Sequence, residues 1–232
     1  MSASERRGTT RTAVVWDALL PVLEPSGLDV VDIGGGTGGF AVKVAELGHR
    51  VTVVDPSPDA LAALARRARE LGVEVAGVQG DVAGLPALVD EADIVLCHGV
   101  LEVVDDPAAA LATIREVLRP GGALSLLVAQ RHAAVIARAM AGHFPQALAL
   151  LDGHDAGRSG HRFTLDEVVG LLAGAGFATV STHGIRVFAD LVPGSLLDLE
   201  PGATAALVEL ERAVAERPEY LPLATQLHVL AR

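Results

Sequence analysis

The 232-residue sequence predicts an α/β fold, an open and mostly parallel sheet with helices on both faces. Three observations carry that prediction. From Leu28 onward, apolar β-rich runs (LDVVDI, VTVVD, VEVAGVQ) alternate with amphipathic helical stretches, Phe40 to Leu47 and Pro58 to Leu71. Such alternation builds right-handed βαβ units. The first strand runs into DIGGGTGGF, with five glycines among residues 34 to 39 before a helical pattern begins, and glycine tolerates the backbone angles that so tight a strand-to-helix turn requires. Half of the residues are hydrophobic but only 3% are aromatic, so buried strands and helices pack through small and branched side chains.

The elements follow in order. Residues 12 to 23 place Val15, Leu19, Val22 and Leu23 at helical spacing, and Pro25-Ser26-Gly27 ends the helix. Residues 1–27 therefore form a leading helical segment, expected to cover the ligand site, and residues 28–232 the domain proper. Gly48 and Gly72 stand where helix C-cap glycines belong. A short helix near Leu85 to Val89 precedes the strand ADIVLC, a helix from about Pro107 to Leu118, the turn Arg119-Pro120-Gly121-Gly122 and the strand GALSLLVA. Residues 131 to 151 read as one helix with some glycine interruption, and Asp152 to Arg162 as a polar, histidine-bearing loop. Thr164 and Glu167 form a capping box that starts the next helix. Residues 177 to 190 read as a strand, LVPGSLLDLEPG as a loop, Ala203 to Arg217 as a helix and TQLHVLA as a closing strand. The insertions 131–162 and 187–222 are expected to form an acceptor lid with the N-terminal segment, because specificity is commonly held at the ends of a rigid sheet. Ala203 to Val214 also offers an apolar face for a homodimer, so monomer and homodimer both stay open.

Composition narrows the partners. The formal net charge of −11 argues against a broad phosphate-neutralising surface and leaves room only for a local basic patch. Cys97 is the single cysteine, which rules out an intrachain disulfide and points to the cytoplasm. Asp17 interrupts the apolar stretch that follows the early arginines, so the start reads as a helix and not a signal peptide. No run approaches the roughly 18 to 20 apolar residues of a spanning helix, and no membrane partner is expected.

The glycine turn fits two cofactor templates. Gly34, Gly36 and Gly39 give GxGxxG, the dinucleotide fingerprint, while Asp32, Gly34, Gly36 and Gly38 give DxGxGxG, typical of S-adenosylmethionine (SAM) sites. Asp55 ends the next strand, where an acidic residue accepts from ribose hydroxyls, and Pro56 follows it. That position alone suits a nicotinamide cofactor equally well. Gly80-Asp81-Val82 after the third strand, where a carboxylate can accept from an adenine amino group, and ADIVLCHGVLEVVDDP followed by LRPGG tip the choice to SAM. His98 follows the fourth strand at the carboxyl edge where open sheets bind ligands. It can bond the donor or serve as a base for an alcohol or amine acceptor. Cys97 reads as inert core and Glu102 as a cap. His154, Asp155 and His161 fit no standard ligand spacing, so no metal is expected.

This order of DIGGGTGG, Asp55, Gly80-Asp81, Asp93 to Leu96 and Leu118-Arg119-Pro120-Gly121-Gly122 resembles the class I SAM-dependent methyltransferases over nearly the whole chain. The resemblance implies a Rossmann-like sheet of seven strands with the last antiparallel. A narrower likeness lies in His98-Gly99-Val100-Leu101-Glu102, in Gly184 to Asp190, in GTTR at 8 to 11 before a helix with Trp16, and in LVELERAVAERPEYLPLATQLHVLAR. These stretches resemble the bacterial tRNA carboxymethoxyuridine methyltransferases, which methylate a carboxylate on a wobble uridine. What that implies is donor contact by Arg11, Gly34, Gly35, Asp55, Asp81, Val82 and His98. A carboxylate acceptor needs no general base but does need a cation to hold it, and Arg186 and Arg131 are the candidates for a bidentate grip. The leading expectation is thus a SAM-dependent methyltransferase of tRNA. The acidic net charge supports a small-molecule acceptor with a carboxyl, hydroxyl or amino group as an alternative, and a SAM-binding regulatory protein without turnover is a third.

Overall fold

The computed structural model describes residues 12–151, 153, 160–199 and 201–232. A helix, α1, covers residues 12–19. Then follow β1 (Asp29–Ile33), α2 (Ala41–Glu46), β2 (Arg50–Asp55), α3 (Pro58–Leu71), β3 (Ala76–Gln79), α4 (Leu85–Leu88), β4 (Ala92–His98), α5 (Pro107–Val117) and β5 (Leu118–Ala129). The later elements are α6 (Arg131–Met140), α7 (Phe144–Leu151), α8 (Leu165–Gly174), β6 (Thr179–Ile185), α9 (Gly194–Leu199), α10 (Ala203–Val214) and β7 (Gln226–Ala231). One seven-stranded sheet runs β3-β2-β1-β4-β5-β7-β6. Pairings among β1 to β5 are parallel. Ala178 and Arg232 exchange both backbone hydrogen bonds, at 2.7 and 2.9 Å, the reciprocal pairing of antiparallel chains. The seven-stranded, mostly parallel sheet expected from the sequence is the one observed.

Packing divides the described chain into two compact units. One consists of Pro21–Leu127, Val168–Ser181 and Val229–Arg232, and the other of the described parts of Met1–Leu20, Val128–Glu167 and Thr182–His228. In the first unit, β1 and β4 are buried along nearly their whole length, which explains their continuous apolar runs. Register fixes the site. Ile33 pairs with Val54 on one side and Cys97 on the other, so the three strand ends stand level and Gly34, Asp55 and His98 leave the sheet side by side.

Caps set the helix boundaries. Ser57 accepts from Ala60 N at 3.2 Å with Pro58 behind it, and Gly72 closes α3 at φ 69°. Asp106 accepts from Ala108 N and Ala109 N at 3.0 Å, starting α5. The Thr164–Glu167 box forms reciprocally, at 2.8 and 3.3 Å.

Five segments differ from the sequence expectation, and one of them is LVPGSLLDLEPG, expected as a loop, which holds the helix α9 (Gly194–Leu199). The expected single helix over 131 to 151 is split at Gly142, whose φ is 76°. Arg119 to Gly122, expected as a turn, is a bulge inside β5, because Ala92 pairs with Leu118 while Ile94 already pairs with Ala123. The strand expected to reach residue 190 stops at Ile185, since Arg186 takes φ 61°. The apolar side of α10, a candidate dimer face, is buried within the chain through Leu207, Val208 and Val214. Among the described residues no helix is long and apolar enough to cross a membrane.

Candidate functional site

The glycine turn is braced by carboxylates from two strands. Asp55, at the end of β2, is 7% exposed. One of its oxygens accepts from Gly36 N at 2.9 Å and the other from Ser57 N at 2.8 Å. It therefore ties the loop after β1 to the loop after β2 while keeping lone pairs for a ligand. Gly34 takes φ 66°, and a Cβ there would stand 2.7 Å from Val100 Cγ2, so any side chain at 34 closes the gap to the loop after β4. Beneath the turn, Asp32 is buried, and a Cβ on Gly35 would meet its oxygen at 2.5 Å. Asp32 accepts from the backbone of Ala41, at the start of α2. Burial, and then the charge of Asp55, push its pKa up to about 7. Asp32 thus supports the turn from below and does not line the cleft.

A cleft of about 670 Å³ opens beside the turn, lined by Gly34, Asp55, Pro56, Asp81 and Val82 together with a wall running from Gly99 to Thr113. That volume suits a small organic ligand. Asp81 holds itself in place by accepting from Ala83 N and Gly84 N, both at 3.1 Å through one oxygen, which leaves its second oxygen to the cleft. Carboxylates, a side-chain-free backbone and a wall of Val100, Val103, Val104, Ala109 and Ala110 interrupted by Asp105 and Asp106 are together a fit for a nucleoside-bearing donor.

His98 sits at the end of β4, half-buried, with Nε2 2.8 Å from Ser125 Oγ and its ring edge-on to Phe40 at 4.8 Å. Burial pushes its pKa down to about 4, so at neutral pH the ring is uncharged and serves as a hydrogen-bonding group. Cys97 beside it is fully buried, and burial pushes its thiol well above the ordinary range, as expected for inert core. Arg11, His154 and Asp155 lie outside the described residues.

The two arginines expected to hold the acceptor both belong to the second unit. Arg131 opens α6 and bonds Glu167 at 2.9 Å and the Arg162 carbonyl at 3.0 Å. Arg186 pairs with Asp190 and donates to Gln226 Oε1 at 3.3 Å. It is the one non-glycine with positive φ among the described residues, a conformation that costs an L-residue roughly 1–2 kcal/mol. Its carbonyl is fixed by Thr225 Oγ1 at 3.1 Å, and its buried Nε has no partner among the described residues.

Sequence reasoning passed over three residues that hold these groups. Ser125, the hydroxyl under His98, is fully buried on β5, and a lone polar residue inside SLLVA was its available signal. Gln130 caps α6 by accepting from Ala133 N at 3.1 Å and donates to Leu221 O at 2.9 Å. Glu211 occupies the buried face of α10 with Leu207, Val208 and Val214, where a charge at helical spacing among apolar residues marked it.

Comparison with known proteins agrees with this geometry. Residues 30–122 match the family described as a methyltransferase domain. The chain is 32% identical to the tRNA 5-carboxymethoxyuridine methyltransferase of Escherichia coli (strain K12) over 236 aligned residues, covering 97% of this chain and 89% of that one. It is 36% identical to the ubiquinone biosynthesis O-methyltransferase of Xanthomonas axonopodis pv. citri (strain 306) over 121 residues, 52% of this chain and 51% of the relative. In fold it is similar to magnesium protoporphyrin IX methyltransferase from Synechocystis PCC 6803 with bound SAH, at a TM-score of 0.64 and 17% identity, covering 97% of this chain and 82% of that one. The chain belongs to the class I SAM-dependent methyltransferases, enzymes whose methyl donor is SAM. Within that family its likeness to the tRNA 5-carboxymethoxyuridine methyltransferase runs through nearly the whole sequence.

Proposed function

We propose that the enzyme methylates the carboxylate of a carboxymethoxyuridine at a tRNA wobble position. The observation that carries this reading is the reach of the likeness. The methyltransferase-domain match ends at residue 122 and the ubiquinone-enzyme match covers about half of the chain, whereas similarity to the tRNA enzyme continues through the second unit. Charge supports it as well. Within a chain of net charge −11, residues 131–162 hold four arginines (131, 138, 158, 162) and two aspartates (152, 155), and the described residues 131–151 hold no acidic side chain. Phe144 at the start of α7 is 67% exposed, and an exposed ring suits an unstacked base.

On this reading the donor occupies the cleft, with Asp55 accepting from its ribose, Asp81 and Val82 at its adenine, and Gly34, Gly35 and Gly36 giving its chain an approach free of side chains. Pro56 and His98 adjoin it, and the resemblance adds Arg11, which lies outside the described residues. Bound there, SAM supplies a methyl carbon on a sulfonium, so the O–C bond to the carboxylate forms as the C–S bond breaks and no proton has to move. A neutral His98 fits that requirement, since a carboxylate needs no base. Arg186 and Arg131 are the candidates for holding the acceptor carboxylate, and positioning supplies much of the acceleration in such a displacement.

Mass spectrometry of wobble uridines from host cells with and without the gene tests the reading. The methyl ester should be present with the gene and absent without it; unchanged ester content overturns the tRNA substrate in favour of a small-molecule acceptor. In vitro, Arg186→Ala should lower kcat/KM for tRNA by about 10- to 30-fold, as expected for a charge-assisted pair, with donor Kd unchanged. Equal loss of both would remove Arg186 from acceptor binding.

A further inference from the structure

We propose that Glu211 is the positioning residue of the acceptor site, holding Arg186 in its left-handed conformation by gripping the three residues that follow it. Glu211 is 1% exposed. Its Oε2 accepts from Val187 N at 2.9 Å, and its Oε1 accepts from Phe188 N at 2.8 Å and Ala189 N at 2.7 Å. Three successive N–H groups thus converge on one carboxylate. They are the backbone donors left without a strand ladder when β6 stops at Ile185, and a buried donor left unpaired is costly.

A strained residue persists only where its surroundings over-determine it. Arg186 is held from both sides: Thr225 fixes its carbonyl through Oγ1 at 3.1 Å, and Glu211 fixes the peptides that come next. Val187 adds packing, sharing a buried cluster with Val214 of α10 and Ala224, against which Phe188 and Tyr220 pack. With the backbone pinned, the guanidinium is aimed by geometry and the Asp190 and Gln226 contacts only steady it. Releasing the 187–189 segment lets Arg186 relax to negative φ and swings the guanidinium away.

Glutamine at 211 is the discriminating change. It keeps the shape but replaces one accepting oxygen with an NH2 group that faces an N–H donor, so one side of the grip is lost. The inference rests on the reading that Arg186 holds the acceptor, and the experiment separates the two. Kinetics are measured with tRNA purified from the gene-deleted host, donor binding by calorimetry and folding by thermal melts, for Glu211→Gln, Glu211→Asp, Arg186→Ala and the Arg186→Ala/Glu211→Gln double variant.

We expect Glu211→Gln to raise KM for tRNA about tenfold with donor Kd within twofold of the native enzyme, and Glu211→Asp, which keeps two accepting oxygens, to recover part of that loss. In the Arg186→Ala background, Glu211→Gln should add no further loss, because the two act through one group. Additive losses, or parallel losses of donor and acceptor binding, would show a merely structural residue and overturn the proposal. If Glu211→Gln does not fold, Glu211→Asp carries the same test with a loss of about threefold; failure of both to fold also overturns it. Arg186→Ala without effect removes the acceptor reading itself, whereas a damaging Arg186→Ala beside a silent Glu211→Gln removes only the positioning role.

Discussion

Of the twelve largest fully buried side chains among the described residues, eleven belong to the unit of Pro21–Leu127, Val168–Ser181 and Val229–Arg232, and only Leu19 to the other. Both units bury polar groups, Asp32, His49, Asp55 and Ser125 in the first and Gln130, His183, Glu211 and His228 in the second, where Gln130 and Glu211 bond backbone far away in sequence. The first unit presents its ligand groups from strand ends set on an apolar core, with Asp32 and Asp55 bracing the turn. The second presents arginines whose placement depends on a few hydrogen bonds between residues distant in sequence. Rigidity from many small contacts tolerates single losses, while order from a few polar contacts does not. Acceptor use should therefore be sensitive to changes at residues that do not touch the ligand, and donor binding chiefly to changes at the groups that do.

Asp55→Ala tests the donor side at a group that touches the ligand. It removes a ribose-binding carboxylate together with the braces to Gly36 and Ser57, and donor affinity measured by calorimetry should fall about 100-fold, as for two charge-assisted bonds. A loss under threefold would mean that the core alone shapes the turn.

On the other side, Arg138→Glu places an acid on α6, whose own residues carry none. Affinity for tRNA in a filter-binding assay should fall about fivefold, with the salt dependence shallower by about one phosphate contact, while donor binding stays as it was. Donor affinity falling in parallel would dissolve the distinction between the units.

The smallest effect sharpens the comparison within the first unit. Asp32 has its pKa raised to about 7, above its ordinary 3.8. Between those values the unfolded chain ionises this group while the folded chain keeps its proton, so its contribution to stability is full at low pH and is lost as pH rises towards 7. Asn, which resembles the protonated acid, has no such loss. The Tm of Asp32→Asn should gain on that of the native enzyme between pH 5 and pH 8, by a few degrees. A constant difference across that range would mean that Asp32 stays ionised under the turn.

The same contrast governs how much could be read in advance. The glycine turn, Asp55, the Asp81-Val82 pair and the Thr164–Glu167 box follow from short-range patterns, and all of them stand where those patterns put them. Arg186 was legible as a residue type in a recognisable stretch. Its left-handed backbone was not, because the bonds that impose it come from Thr225, 39 positions from Arg186, and from Glu211, 22 to 24 positions from the amides it accepts from. The LRPGG bulge was hidden for the same reason, since it exists only relative to the register of β4.

By itself the sequence determined the alternation of strands and helices, the caps that bound them and the side-chain-free turn, because these depend on periodicity and on backbone freedom within a few residues. Tertiary structure alone decided that Ile33, Val54 and Cys97 stand level, that Asp55 braces Gly36, that Ser125 lies under His98, and that Glu211 collects the backbone beyond Arg186. Each of these is a pairing between distant segments, fixed only when strand register and the burial of polar groups are satisfied together.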